Sequence, residues 1–289
     1  MNILILGGRG NLGTQLNKYF SLDYNVSAWD REEVDVLDFS HLREKIDDLK
    51  PDLIINAVAY NAVDKCEDKE EFASALVLNQ SLPAFLADLA LDLNSILIHY
   101  SSDYVFSGTG EKSEFCENET PNPLNKYGES KFRGEEEILK RAKQGLKYYL
   151  IRTSKLFGPI GSSPQAKPSF FDLMLKLSQE KSELTVVNEE LSCFTYTPDL
   201  AQATKRLWEL EVPFGIYHLI NEGACTWYEA VKKLFNLCKK NNILRPVRSE
   251  DLLRNARRPK FSVLRNTKLK KMRDWKLALE EYLEDIEII

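Results

Sequence analysis

The chain has 289 residues, 43% of them hydrophobic, and a formal charge of −5, which allows a substantial core in one large domain or two. So mild a charge implies no nucleic-acid partner, and the absence of a basic-then-apolar leader or an apolar run near ~18 residues predicts neither secretion nor a membrane span. Five scattered cysteines (66, 116, 193, 225, 238) without a C-x-x-C pair read as reduced thiols of a cytoplasmic protein, and three isolated histidines offer no metal-ligand cluster.

Asn2–Leu6 is a continuous apolar run, the mark of a strand buried on both faces, and Gly7-Gly8-Arg9-Gly10-Asn11-Leu12-Gly13 follows at once. Glycines 7, 10 and 13 open a helix through Leu16 and Phe20, so backbone amides there can approach a pyrophosphate under the helix dipole. A second strand, Asn25–Trp29, ends in Asp30-Arg31, roughly where a dinucleotide unit reads its ribose. Asp30 would accept both ribose hydroxyls and repel a 2'-phosphate, whereas Arg31 could attract one; the balance favours NAD(H) with NADP(H) tolerated. Asp35-Val36 falls at the adenine edge, although Asp35 and Asp38 could equally cap the helix starting near Ser40.

Buried strands follow at 53–56 and 95–100, with a helix over 70–91 between them and a fifth strand at 148–152. The alternation predicts a doubly wound parallel α/β Rossmann sheet, with ligands beyond the carboxyl ends of the strands. Gly, Pro and Ser between Phe157 and Pro168 mark the end of that alternation. Residues 1–155 form the expected dinucleotide-binding domain. Residues 156–289 form a smaller mixed α/β substrate lobe, with helices at 170–180 and 227–240, strands at 184–188 and 216–219, and some segments returning to the sheet. Arg245, Arg248, Arg254, Arg257, Arg258, Lys260 and Arg265 make either a solvated loop or a clamp for an anionic diphosphate.

Tyr127-Gly128-Glu129-Ser130-Lys131 carries the chemistry. Positions i and i+4 share a helix face, so Lys131 can lie beside the Tyr127 hydroxyl, favour its ionised form and make it a proton donor to a ketone. Ser102, after the strand that ends Ser101-Ser102-Asp103, would add a second hydrogen bond to the same oxygen.

These motifs, with Asn56–Glu67, Ser101–Phe106, Pro123–Glu135, Arg152-Thr153-Ser154, Gly215–Leu219, Thr226-Trp227-Tyr228 and Arg258-Pro259, resemble the dTDP-4-dehydrorhamnose reductase family of extended short-chain dehydrogenase/reductases over nearly the whole chain. The resemblance implies that Tyr127 is the proton donor, that Lys131 tunes it and holds the nicotinamide ribose, that Ser102 replaces the usual threonine, and that Asp103 orients substrate. It places Ala57, Ala59 and Tyr60 along the cofactor channel and Val63 toward the sugar. The implied reaction is transfer of a hydride from NADH or NADPH to C4 of a nucleotide-linked 4-keto-6-deoxyhexose, in the synthesis of surface polysaccharide precursors; a homodimer is also implied.

The departures from the family fall on the substrate side. Lys155 stands where a tryptophan is usual; Glu190, Ser192 and Phe194 stand at Gln, Gly and Pro positions; Phe261 replaces an asparagine. Exchanging an aromatic platform for a cation implies a different sugar or one with an acidic substituent, unless neighbours compensate. Two alternatives stay open: a reductase or epimerase of another keto-sugar nucleotide, and a non-catalytic regulatory subunit like the beta subunit of methionine adenosyltransferase. Retention of Ser102, Tyr127 and Lys131 argues against the second.

Overall fold

In the computed structural model, which describes residues 1–108 and 114–289, six parallel strands form the central sheet. They are β1 (Asn2–Leu6), β2 (Asn25–Trp29), β3 (Leu53–Asn56), β4 (Ile96–Ser102), β5 (Lys147–Thr153) and β10 (Gly215–His218), in the order β10-β5-β4-β3-β1-β2. The inner strands are apolar because helices cover both faces: every residue of β3 is buried.

On one face, Leu12, Leu16 and Phe20 of α1 (Asn11–Phe20) meet Leu200, Leu207 and Trp208 of α7 (Thr197–Glu209). On the other lie α2 (Phe39–Leu49), α4 (Leu82–Asp92) and α5 (Lys126–Ala142). Asp38 caps α2, accepting the His41 N–H at 3.0 Å, while Asp35 accepts the Leu37 N–H. The sixth strand comes from the second half of the chain. Ile216 pairs with Leu150, so the chain from α7 through β10 returns to the sheet rather than staying in the lobe.

The helix expected over 70–91 is α3 (Lys69–Leu76), a π turn (Val77–Ser81) and α4. By length and composition Lys69–Asp92 could cross a membrane, a departure from the expectation that no segment is that apolar. The physical reason is packing: Leu82, Leu86 and Leu89 are fully buried against the sheet.

The remaining elements gather around a separate core. They are β6 (Leu156–Phe157) with β9 (Thr195–Tyr196), β7 (Glu183–Val187) with β12 (Ile243–Val247), β8 (Ser192–Cys193) with β11 (Ala224–Cys225), and helices α6 (Phe170–Glu180), α8 (Trp227–Leu237) and α9 (Trp275–Asp285). Phe157, Phe171, Phe194, Trp275 and Tyr282 fill that core. Thr226 caps α8 in a reciprocal box with Glu229.

Candidate active site

The glycine loop joins β1 to α1 beside the end of β2. The N–H groups of Gly7 and Gly8 both donate to the Trp29 carbonyl, at 2.8 and 3.0 Å, and the Gly10 N–H donates to Gly7 O at 3.0 Å. At Gly13 a Cβ would fall 1.9 Å from Gly7 O, so only glycine lets α1 seat against the turn. Gly10 caps α1 without a side chain, which leaves first-turn amides such as that of Leu12 for an anionic ligand. That cradle fits a dinucleotide pyrophosphate. The Asn11 side chain is committed elsewhere: it accepts the Gly161 N–H and donates to Lys167 O, both at 2.9 Å, while the Ser163 N–H donates to Arg9 O. These bonds strap the 158–169 loop across the glycine loop.

At the end of β2, Asp30 accepts the N–H groups of Arg9 at 3.2 Å and Arg31 at 2.8 Å. Exposed Asp35 and half-buried Val36 follow along the same edge. Across from them, Ala57, Ala59 and Tyr60 continue from β3. Asn79, fully buried in the π turn, accepts the Tyr60 N–H and donates to Tyr60 O and to Ser130 Oγ, all at 2.9 Å. It thereby ties this wall to α5. Val63 lies beyond, half-buried.

Helix α5 begins at Asn125, whose Oδ1 accepts the Gly128 N–H at 2.8 Å and whose Nδ2 donates to Arg257 O. Gly128 allows a close approach: a Cβ there would lie 2.1 Å from Tyr104 O. The helix therefore docks on the turn after β4, with the Tyr104 and Tyr127 rings edge-on at 5.9 Å. Ser102 caps that turn, accepting the Tyr104 N–H and donating to Asp103 Oδ1, each at 3.1 Å. Ser262 Oγ donates to Asp103 Oδ2 at 2.5 Å.

Ser102, Asp103, Tyr127 and Lys131 are thus brought together, but not in the expected pairing. Lys131 Nζ donates to Tyr100 O at 2.7 Å rather than favouring a Tyr127 phenolate. Burial raises the Tyr127 pKa, and a hydrogen bond with Ser102 offsets this only in part, so the phenol stays protonated. Burial also lowers Lys131 to about 8, opposed by the Glu135 carboxylate. Asp103 is raised by burial, with Ser262 and Lys155 among the groups opposing it.

On the far side Lys155 holds a left-handed backbone (φ 38°) and reaches into an aromatic cage. Its Nζ sits 3.7 Å from the Trp227 ring centroid and 5.0 Å from that of Phe194, and donates to Glu190 O at 3.5 Å. Burial lowers its pKa to about 8, against the pull of Asp103. Glu190 and Phe194 back this cage rather than lining open space. The buried Glu190 carboxylate accepts Trp227 Nε1 at 2.9 Å and Ser249 Oγ at 2.5 Å and pairs with Arg254, while Phe194 is 1% exposed among Phe170, Phe171 and Trp275.

The basic run does not converge on one anion site. Arg245 pairs with Glu183, Arg248 with Asp251, and Arg265 with Glu114, while Arg258 grips Asp64 through both terminal nitrogens at 2.5 and 2.6 Å. Among the described residues no group of three or more His, Cys, Asp or Glu could hold a metal ion. Sequence reasoning gave no role to the side chains of Arg9, Asp64, Asn79, Asn125, Trp227 and Ser262. Of these, Asn125 was legible as a cap one residue before a helical pattern.

The model of the RmlD substrate binding domain family matches residues 1–288. A solved dTDP-4-dehydrorhamnose reductase of Clostridium acetobutylicum superposes with a TM-score of 0.90 at 30% identity, covering 99% of this chain and 100% of that one. The chain belongs to the dTDP-4-dehydrorhamnose reductase family. Its relatives include the spore coat polysaccharide biosynthesis protein SpsK of Bacillus subtilis, 32% identical over 98% of this chain and 97% of that protein. A Bacillus anthracis dTDP-4-dehydrorhamnose reductase, solved in complex with NADP, is 29% identical with a TM-score of 0.89 over 98% of this chain and 99% of that one. As a member of this reductase family, the protein is a Rossmann-type oxidoreductase that uses NADH or NADPH.

Proposed function

We propose that the protein reduces the C4 ketone of a nucleotide-linked 4-keto-6-deoxyhexose, dTDP-4-dehydrorhamnose first among them, in the synthesis of a surface polysaccharide precursor. The observation that carries this reading is the contact of Tyr127 with Ser102 at the carboxyl end of β4, in a sheet whose β1 end carries an uncapped glycine cradle. The reduced nicotinamide supplies the hydride. Tyr127, held protonated by burial, gives its proton to the oxygen on which negative charge develops, and Ser102, turning its one proton away from Asp103 Oδ1, donates to the same oxygen. Lys131, fixed on Tyr100 O, holds the nicotinamide ribose, and Asp103 orients Ser102.

Gly7, Gly10, Leu12 and Gly13 cradle the pyrophosphate, with Asn11 acting through its strap. Asp30 and Arg31 read the adenosine ribose, and Asp35 and Val36 border the adenine. Ala57, Ala59 and Tyr60 form the channel wall. Val63 and Lys155 face the sugar; Glu190 and Phe194 hold Lys155, and Arg258 ties its own segment to Asp64 beside Val63. In this reading residues 1–155 carry the cofactor and 156–289 mainly the substrate. The enzyme acts in the cytoplasm, where its five unpaired thiols stay reduced, and as a homodimer.

The test is oxidation of NADH and NADPH, followed by absorbance, with dTDP-4-keto-6-deoxyhexose as acceptor and Tyr127→Phe as control. Turnover that falls by about 10²–10⁴ in the variant is the expected result. No turnover by the wild type, with cofactor binding retained, would exclude this sugar nucleotide.

A further inference from the structure

With the adenosine ribose at the carboxyl end of β2, the placement on which the inference rests, five charged side chains gather beside it, Arg9, Asp30, Glu32, Glu33 and Lys45, and the exposed Arg31 follows Asp30 in the chain. Their pairing is uneven. The Arg9 guanidinium is clamped by Glu32 through one terminal nitrogen and by Glu33 through the other. Glu33 is itself fixed, because its other oxygen accepts the Asp30 N–H at 2.9 Å. Lys45 donates to the Glu33 carbonyl and lies 4.9 Å from the Trp29 ring centroid. Asp30 accepts one backbone N–H on each carboxylate oxygen, which leaves one lone-pair direction per oxygen for a ribose hydroxyl.

We infer that Arg9, latched between Glu32 and Glu33, makes this enzyme discriminate against a 2'-phosphate, so that NADH is its preferred reductant. A 2'-phosphate arriving beside Asp30 needs a cation. Arg9 stands in the glycine turn with its own N–H on Asp30, yet freeing its side chain strands two carboxylates beside a dianion. Lys45 is held on a carbonyl and an aromatic face. Arg31 is exposed, and an exposed pair recovers little, by which measure the latch on Arg9 acts chiefly through Glu33, 30% exposed, rather than Glu32. Ribose hydroxyls, by contrast, find the Asp30 acceptors already oriented.

The test is calorimetric titration of the purified enzyme, without sugar nucleotide, by NADH and by NADPH. The wild type should bind NADH about tenfold more tightly, equivalent to about 1.4 kcal/mol, and the ratio should shrink as salt is raised. Glu32→Gln/Glu33→Gln frees Arg9 and should tighten NADPH until the preference is lost or reversed, and adding Arg9→Gln should undo that gain. Glu32→Gln alone, at a side chain 67% exposed, should move the ratio the same way without touching the Asp30 amide. Equal affinities in the wild type, a preference for NADPH, or a ratio unmoved in both glutamine variants would overturn the inference. Binding of neither cofactor by the folded wild type would overturn the placement of the ribose itself, and the inference with it.

Discussion

Glu135→Gln should be among the most damaging single-atom exchanges in this protein. The Glu135 carboxylate is fully buried in α5 and receives Arg152 Nε at 2.9 Å and a terminal nitrogen at 2.7 Å, with the arginine 1% exposed. Arg152 is further fixed over the Phe106 ring at 5.0 Å. The amide keeps the shape but turns an N–H₂ group toward the guanidinium and leaves a buried positive charge without its partner. Breaking a pair so enclosed costs roughly 3–5 kcal/mol, because the remaining ion cannot regain water. Replacing both partners, as in Glu135→Leu/Arg152→Met, removes both desolvation penalties and should cost less than either single change. Urea unfolding followed by tryptophan fluorescence reads all three. A loss below about 1 kcal/mol in the single variant, or a double variant that costs the sum of the singles, would refute the reasoning. The change also reaches the site: Glu135 supports the charge on Lys131, so the lysine should fall further below its value of about 8.

His218 gives a pH dependence with a definite sign. Burial, aided by the Arg152 charge, lowers it from 6.5 to about 4 against the opposing Glu117, so between those values the unfolded chain binds the extra proton and stability should fall as pH drops below about 6.5. Buried His99 acts in the same direction, and His218→Gln should flatten the slope of urea midpoint against pH. Lys155→Met should raise the KM for the nucleotide sugar while costing about 2 kcal/mol of stability, the order of a desolvated cation over an aromatic ring. An unchanged KM would take Lys155 out of the sugar site.

What was legible in the sequence was local. The apolar run of β1, the glycine spacing and the strand ending in Asp30 each lie within a few residues, and the structure sets them side by side through the Gly7 and Gly8 bonds to Trp29. Tyr127 and Lys131 were legible as neighbours on one helix face, but periodicity states a face, not a partner. Tyr100 O, 31 residues earlier, takes the ammonium instead. The same limit explains the strand at Ile216, visible as a strand but not as the sheet's sixth, since its pairing with Leu150 bridges the whole of β5 to α7.

The substrate side was hardest to read for a related reason. Glu190 and Phe194 occupy motif positions that suggest a pocket wall, yet side chains at such positions can be turned inward by partners from elsewhere. Arg254 and Ser249 draw the Glu190 carboxylate away, and five aromatic rings enclose Phe194. Asn79 was hidden differently. Ala75, Asn79, Leu82 and Leu86 keep helical spacing on the buried face, but spacing gives a polar side chain no partner, and the Tyr60 and Ser130 groups that claim Asn79 lie 19 and 51 residues away. Chemistry carried by one helix or one turn therefore reads directly from spacing. Chemistry that depends on which distant side chain claims a charge, as Glu32 and Glu33 claim Arg9, appears only once the chain has folded.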